Sequence, residues 1–266
     1  NACLQILRSD DLTLPETIEQ ELSSRPFAAE FIEDENGALY LKIYGTRHFM
    51  LTQIVPLLKN IGLAVHSEIT YEIPFKENKI SVSRYRIGNE RFDDIKRTKK
   101  NILELLETML CHPRLPNTPL LQLTLLENLS PRELELLNAL INFENQLVLS
   151  FNQVTITEVL IKHHQITKSL LSYFYLKFNP ALERRKEQIQ ESEEKIEKML
   201  HPITHITEDM VIRMLFEMIR QMVRTNFFLE KETIAFKTHT DRIQSKRAGI
   251  QPRIEAFVHH FHLSGV

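Results

Sequence analysis

The residues of this sequence best suited to chemistry stand near its C-terminal end, where His259, His260 and His262 crowd together. On a strand, side chains two apart share a face, so His260 and His262 present two imidazoles that a divalent metal can use. No carboxylate or thiolate follows at a matching spacing, whereas a catalytic zinc takes three protein ligands and a structural one four. A structural strand that carries histidines is the preferred reading, and no metal site is expected. His163 and His164 are neighbours on a predicted helix and diverge, and Pro202 keeps His201 and His205 off a common helical face. Lys96, Arg97, Lys99 and Lys100 gather enough charge for a phosphate, but Asp93 and Asp94 lie among them, the pattern of a solvated helix face. Cys3 and Cys111 are the only cysteines and form no redox or metal spacing. The chain has no glycine-rich phosphate loop, no serine nucleophile elbow and no dinucleotide fingerprint. No catalytic or cofactor-binding residue is therefore assigned within it.

The elements that would position such residues follow from hydrophobic period. Residues 1–36 read as a leader or linker with a short apolar segment, and Asn1-Ala2 as a cloning remnant. Ala38–Tyr44 alternates as a strand, with Leu39, Leu41 and Ile43 on one face. Thr52 is expected to cap a short helix with Ile54, Leu57, Leu58 and Ile61 inward, and Gly62 to end it. Leu63–Ile73 and Lys79–Ile87 make two further strands, and a helix runs from about Glu90 to Leu110. This β-α-β-β-α order belongs to a ferredoxin-like sandwich. Its first strand-to-helix loop is Gly45-Thr46-Arg47-His48.

Pro113, Pro116 and Pro119 mark a connector into a helical bundle. Ser130-Pro131-Arg132-Glu133 is a capping box with proline at the first helical position. Thr155-Ile156-Thr157-Glu158 is a second, opening one continuous helix to about Lys177, and Asn179-Pro180 leads to a third, largely charged helix. Thr207 is expected to cap a last helix running to Phe228, in which Met210, Met214, Met218 and Met222 recur every four residues as part of a buried stripe. Thr233–Thr240 and Arg253–Leu263 follow as strands, the latter apolar on both faces and so built to be covered on both. The tail after Phe228 is expected to be a separable piece of another domain's sheet.

With 266 residues and a net charge of −2, the chain can hold two or three compact units and lacks the basic excess of a nucleic-acid binder. No apolar run approaches the ~20 residues that cross a bilayer. No signal peptide is visible and cysteine is sparse, so a cytoplasmic location is expected.

Three blocks resemble the large bacterial NAD-specific glutamate dehydrogenases. "LYLKIY … LTQIVPLLKNIGLAVHSEITYEI" is similar to the ACT-like module of that family. "LLENLSPRELELLNAL" with the helix ending "YFYLKFNP" is similar to its helical linker. "RTNFF", "IAFK" and "RIEAFVHHFHLSGV" look like the entry to its catalytic core. The family's tryptophan-containing strand is replaced here by Val82–Arg86.

The resemblance implies an α+β fold: residues 37–112 an ACT-like module, 113–228 a helical linker bundle, and 229–266 the first strands of a truncated catalytic domain. It implies an internal fragment of an enzyme that oxidises L-glutamate to 2-oxoglutarate and ammonium with reduction of NAD. NAD and the catalytic residues would lie outside this chain, which would itself be inactive and would act in regulation, positioning or subunit contact. Expected partners are the remaining domains of the same chain, copies of itself in a homo-oligomer, and an amino-acid effector at Arg47 and Thr46, since ACT modules bind amino acids near this loop. No nucleic acid or membrane partner is expected. The alternative is a free-standing ACT-like amino-acid sensor or protein-interaction module.

Overall fold

Asp34 makes a hairpin where the sequence reading expected a linker. Its Oδ1 accepts the N–H groups of Asn36 and Ala38, both at 2.9 Å, and Gly37 supplies the left-handed turn residue at φ +73°. The turn joins β1 (Phe27–Glu33) to β2 (Leu39–Gly45). The computed structural model describes residues 13–147, 151–183, 185–243, 253–261 and 263–265. The chain divides into two units, Asn1–Pro131 and Arg132–Val266.

In the first unit α1 (Glu16–Ser24) precedes the hairpin, and α2 (Leu51–Ile61), β3 (Val65–Phe75), β4 (Asn78–Ile87) and α3 (Phe92–Cys111) follow it. The sheet is antiparallel throughout, in the order β1-β2-β4-β3. Strands β2 and β3 flank β4 and are joined through α2, the split β-α-β of a ferredoxin-like α+β fold. β1 takes the outer place beside β2 that the closing strand of such a unit would otherwise fill. One face carries Phe31, Leu41 and Tyr85 in register and is buried with Ile54 and Leu58 of α2 and Ile102 and Leu105 of α3. The other carries Ala28, Tyr44 and Val82, which form a second core with Ile18 and Leu22 of α1. Met50, not Thr52, precedes the first turn of α2. Gly62 ends that helix at φ +94° as expected. The leucine-rich stretch after the prolines folds as α4 (Gln122–Glu127) and packs against α2 and α3.

The second unit begins with α5 (Pro131–Leu147), then α6 (Gln153–Lys162), α7 (His164–Phe178), α8 (Lys186–Leu200) and α9 (Ile206–Gln221). The second capping box is not used. Asn152 caps α6 instead, its side chain accepting the Thr155 N–H at 2.8 Å. The helix expected to be continuous breaks at His163.

α9 stops at Gln221, seven residues before the expected end, and passes directly into β5 (Met222–Thr225). Asn226 fixes that change: its Nδ2 donates to the Thr233 carbonyl at 3.0 Å and its Oδ1 accepts the Ala235 N–H at 2.7 Å. β6 (Ile234–Thr238), β7 (Glu255–His260) and β8 (Leu263–Gly265) complete an antiparallel sheet in the order β5-β6-β7-β8.

The methionine row is only partly buried. Met218 is fully buried and Met210 exposed, because a strict four-residue repeat advances about 40° per step and walks off the core face. The buried stripe is Val211, Ile212, Leu215, Phe216, Met218 and Ile219.

The C-terminal strands share the helical core. Phe257 stacks on Phe143 of α5 at 4.8 Å between centroids, and Phe236 lies 6.5 Å edge-on from Phe174 of α7. The outward face of β7 stays open, with Val258 46% exposed.

Candidate functional site

Gly45 begins the loop that the sequence singled out, and its lack of a side chain is needed there. A Cβ would lie 2.5 Å from the Arg47 carbonyl oxygen and 2.7 Å from the Phe49 ring, so the chain folds back too tightly for any other residue. The Thr46 N–H donates to the Pro26 carbonyl at 3.1 Å. Arg47 is exposed, and its Nη2 donates to the Leu110 carbonyl at 2.8 Å. That carbonyl belongs to the last turn of α3, where the negative end of the helix favours a cation. The guanidinium lies 5.2 Å from the centroid of the Phe49 ring, and Phe49 packs edge-on against Phe27 at 5.9 Å. The structure therefore brings Thr46 and Arg47 to one exposed loop and fixes Arg47 in place. Of the five N–H donors of a guanidinium, the Leu110 carbonyl takes one.

Phe27 connects this loop to a groove of about 320 Å³ between α1, β1 and α3, whose lining includes Arg25, Ala29, Leu103 and Glu107. Arg25 bridges its two helical walls, with 2.7 Å contacts to Glu21 on α1 and Glu107 on α3. Cys111 lies within the fields of Arg25, Arg47 and Glu107; burial pushes its thiol up and Arg47 only partly opposes this, so the thiolate that nucleophilic chemistry needs is disfavoured.

The other candidate residues have structural employment. Lys96 lies 3.6 Å from Glu33 and over the Phe92 ring, while Arg97 bonds Asp94 and the Leu126 carbonyl. His259 is buried on the inner face of β7, with Nε2 3.3 Å from Asn138 Nδ2. Burial, then His260, lowers its pKa. His260 faces the other way, and His262 lies outside the described residues. Among the described residues, no three His, Cys, Asp or Glu side chains are grouped to hold a metal ion. No helix among them is long and apolar enough to cross a membrane.

Sequence reasoning missed three charged groups inside the second unit. Glu144 on α5 is fully buried, both carboxylate oxygens lack a hydrogen-bond partner among the described residues, and burial drives its pKa well above the usual carboxylate range. Lys177 on α7 donates to the carbonyls of Ile219 and Arg220 at the end of α9, and burial lowers its pKa to about 8. Glu208, at the start of α9, bonds Lys162 and, at 2.7 Å, His163; these bonds hold its carboxyl down at about 2. The only available signals were amphipathic position for Glu144 and sequence-distant pairing for the others, and neither can be read from one chain.

Two family profiles match in the order of the elements just described. One, for the ACT3 domain of glutamate dehydrogenase, covers residues 27–96. The other, for helical motif 3 of glutamate dehydrogenase, covers residues 119–180. An NAD-specific glutamate dehydrogenase of Halomonas elongata is 26% identical over 215 residues, 78% of this chain and 13% of that protein. One of Pseudomonas aeruginosa is 24% identical over 245 residues, 86% of this chain and 15% of that protein. The chain thus spans about a seventh of these relatives' length.

Proposed function

The chain belongs to the NAD-specific glutamate dehydrogenase family, and we propose that it is a regulatory and structural stretch of such an enzyme rather than its catalytic part. The parent reaction is oxidation of L-glutamate with NAD and water to 2-oxoglutarate, ammonium and NADH. The observation that carries this reading is the collinear order of an ACT3 domain and helical motif 3 within 13–15% of the relatives' length. The lack of a dinucleotide fingerprint in the sequence supports placing hydride transfer elsewhere in the parent. The expected partners are the other domains of the parent and further copies of it, in the cytoplasm.

Within the ACT-like unit, Arg47 and Thr46 receive the carboxylate of an amino-acid effector. Arg47 is exposed yet held by Leu110 and Phe49, which lowers the entropy cost of engaging an anion. The test is a thermal-shift series with the common amino acids at millimolar concentration. At least one should raise the melting temperature by mass action, and Arg47→Ala should abolish that rise. Melting curves unchanged by every amino acid would leave the unit a purely structural role.

A further inference from the structure

Among the described residues no strand pairs with the edge of β1 away from β2, and that edge lies at the bottom of a walled groove. The Thr46 N–H bonds the Pro26 carbonyl at 3.1 Å, and the Asp34 N–H bonds the Ala38 carbonyl at 2.9 Å. With Phe27 opposite Gly45 and Glu33 opposite Leu39, these two bonds set the alternation. Even-numbered residues of β1 bond to β2, and the N–H and C=O groups of Phe27, Ala29 and Phe31 point away from the sheet. α1 and α3 form the walls of the groove along residues 27–29, and Ala28 and Ala29 line it with no more than a methyl group each. Lys96 reaches Glu33 at 3.6 Å and closes the far end. The open edge therefore runs from Phe27 to Phe31, roughly 16 Å at about 3.3 Å per residue. The opposite edge, β3, carries a register bulge between Val65 and Ser67 and a proline at 74, features that discourage further pairing. Between Phe27 and Phe31, β1 has neither.

We propose that this edge accepts an extended peptide segment as an added strand, held by the outward backbone groups of Phe27, Ala29 and Phe31, with a basic side chain turned toward α3. The lining carries three carboxylates, Glu21, Glu104 and Glu107, against two cations, Arg25 and Lys100. Arg25 already bridges Glu21 and Glu107, so the balance left to an incoming strand is negative and is complemented by lysine or arginine. A second copy of the chain is a poorer occupant, because it would bring its own α1 and α3 against the walls that α1 and α3 already form. A free amino acid would use only a fraction of the exposed backbone pairs. The inference is independent of the effector reading of Arg47.

The probe is a blocked hexapeptide of alternating valine and lysine, titrated into the 266-residue chain while backbone amides are followed by NMR. Saturable binding is expected, with slowed hydrogen exchange at the amides of Phe27, Ala29 and Phe31. Ala29→Pro removes one outward N–H at an edge position where proline is tolerated, and should weaken binding at least about tenfold with the β1–β2 amide pattern retained. Should that variant disturb the sheet, the same peptide methylated on alternate backbone nitrogens must show the same loss against the unaltered chain. No saturation, or equal binding of the methylated peptide, would overturn the proposal. So would protection of these amides that rises with protein concentration in the absence of peptide, or protection by a free amino acid alone.

Discussion

The two units of this chain treat charge in opposite ways. In Asn1–Pro131, Arg25, Lys79, Lys96 and Arg97 meet carboxylates in pairs open to solvent, and among the described buried side chains only Lys42, still 9% exposed, is a Lys, Arg, His, Asp or Glu. In Arg132–Val266, ionisable groups are taken inside. Glu144 is fully buried with no hydrogen-bond partner among the described residues, His259 is buried against Asn138, and Lys177 is half-buried at the end of α9. Surface pairs contribute little and are screened by salt, whereas a buried charge costs several kcal/mol unless it is neutralised or bonded. The first unit is thus built to present surfaces, and the pH response of the chain should reside in the second.

The comparison breaks most visibly in the aromatic core. Phe257→Ala removes the ring stacked on Phe143 and should cost about 3–5 kcal/mol, read as lost cooperativity in the second unit by urea unfolding. Deleting 229–266 should go further and unfold the α5–α9 bundle, because Phe236 and Phe257 belong to its core. A deleted chain whose helices melt unchanged would show that the strands are an appendage.

Glu144 sharpens the contrast next. Its folded pKa lies above the unfolded value near 4.5, so across that interval the folded state holds more protons and stability falls as pH rises. Glu144→Leu should stabilise the second unit by about 1–3 kcal/mol at pH 8 and flatten that slope. Glu144→Gln should flatten the slope while keeping most of the cost of a buried polar group. An unchanged slope in both variants would place the pH response elsewhere.

Lys177 gives a smaller effect of the other sign. Its folded pKa of about 8 lies below the ordinary lysine value of 10.5, so between these values the unfolded chain binds more protons and stability rises with pH. Lys177→Met should lose about 1 kcal/mol at pH 7 by taking the ammonium donor from the Arg220 carbonyl, the Ile219 carbonyl keeping the Met222 N–H, and should lose the rise above pH 8. Glu208→Gln is the smallest. Its melting temperature should lie below that of the unaltered chain at pH 7, and the gap should close as pH falls from 4.5 toward 2, where the native carboxylate itself is protonated.

What was legible in the sequence divides along the same line. In the first unit, period-two strands and Gly62 led to the β-α-β-β-α order, because one face of each strand is buried and local pattern decides. β1 escaped notice since "FAAEFIE" has two alanines and no clean alternation, and its identity as a strand depends on pairing with β2. In the second unit, the break at His163 is tied to Glu208, 45 residues away, and the end of α9 to the side chain of Asn226. Met222, Val223, Phe227 and Phe228 continue the apolar pattern of α9, so local pattern pointed to the wrong element and tertiary bonding overrode it. The loop carrying Thr46 and Arg47 was found from its place between strand and helix. The groove beside β1 was not, because its walls come from residues about 80 positions apart in the chain.

The proposal that this chain serves a glutamate dehydrogenase without carrying its hydride chemistry is tested most directly by calorimetric titration of the 266-residue protein with NAD, with and without L-glutamate. No saturable heat and no NADH formation are expected. Saturable binding of NAD in the micromolar range would contradict the proposal.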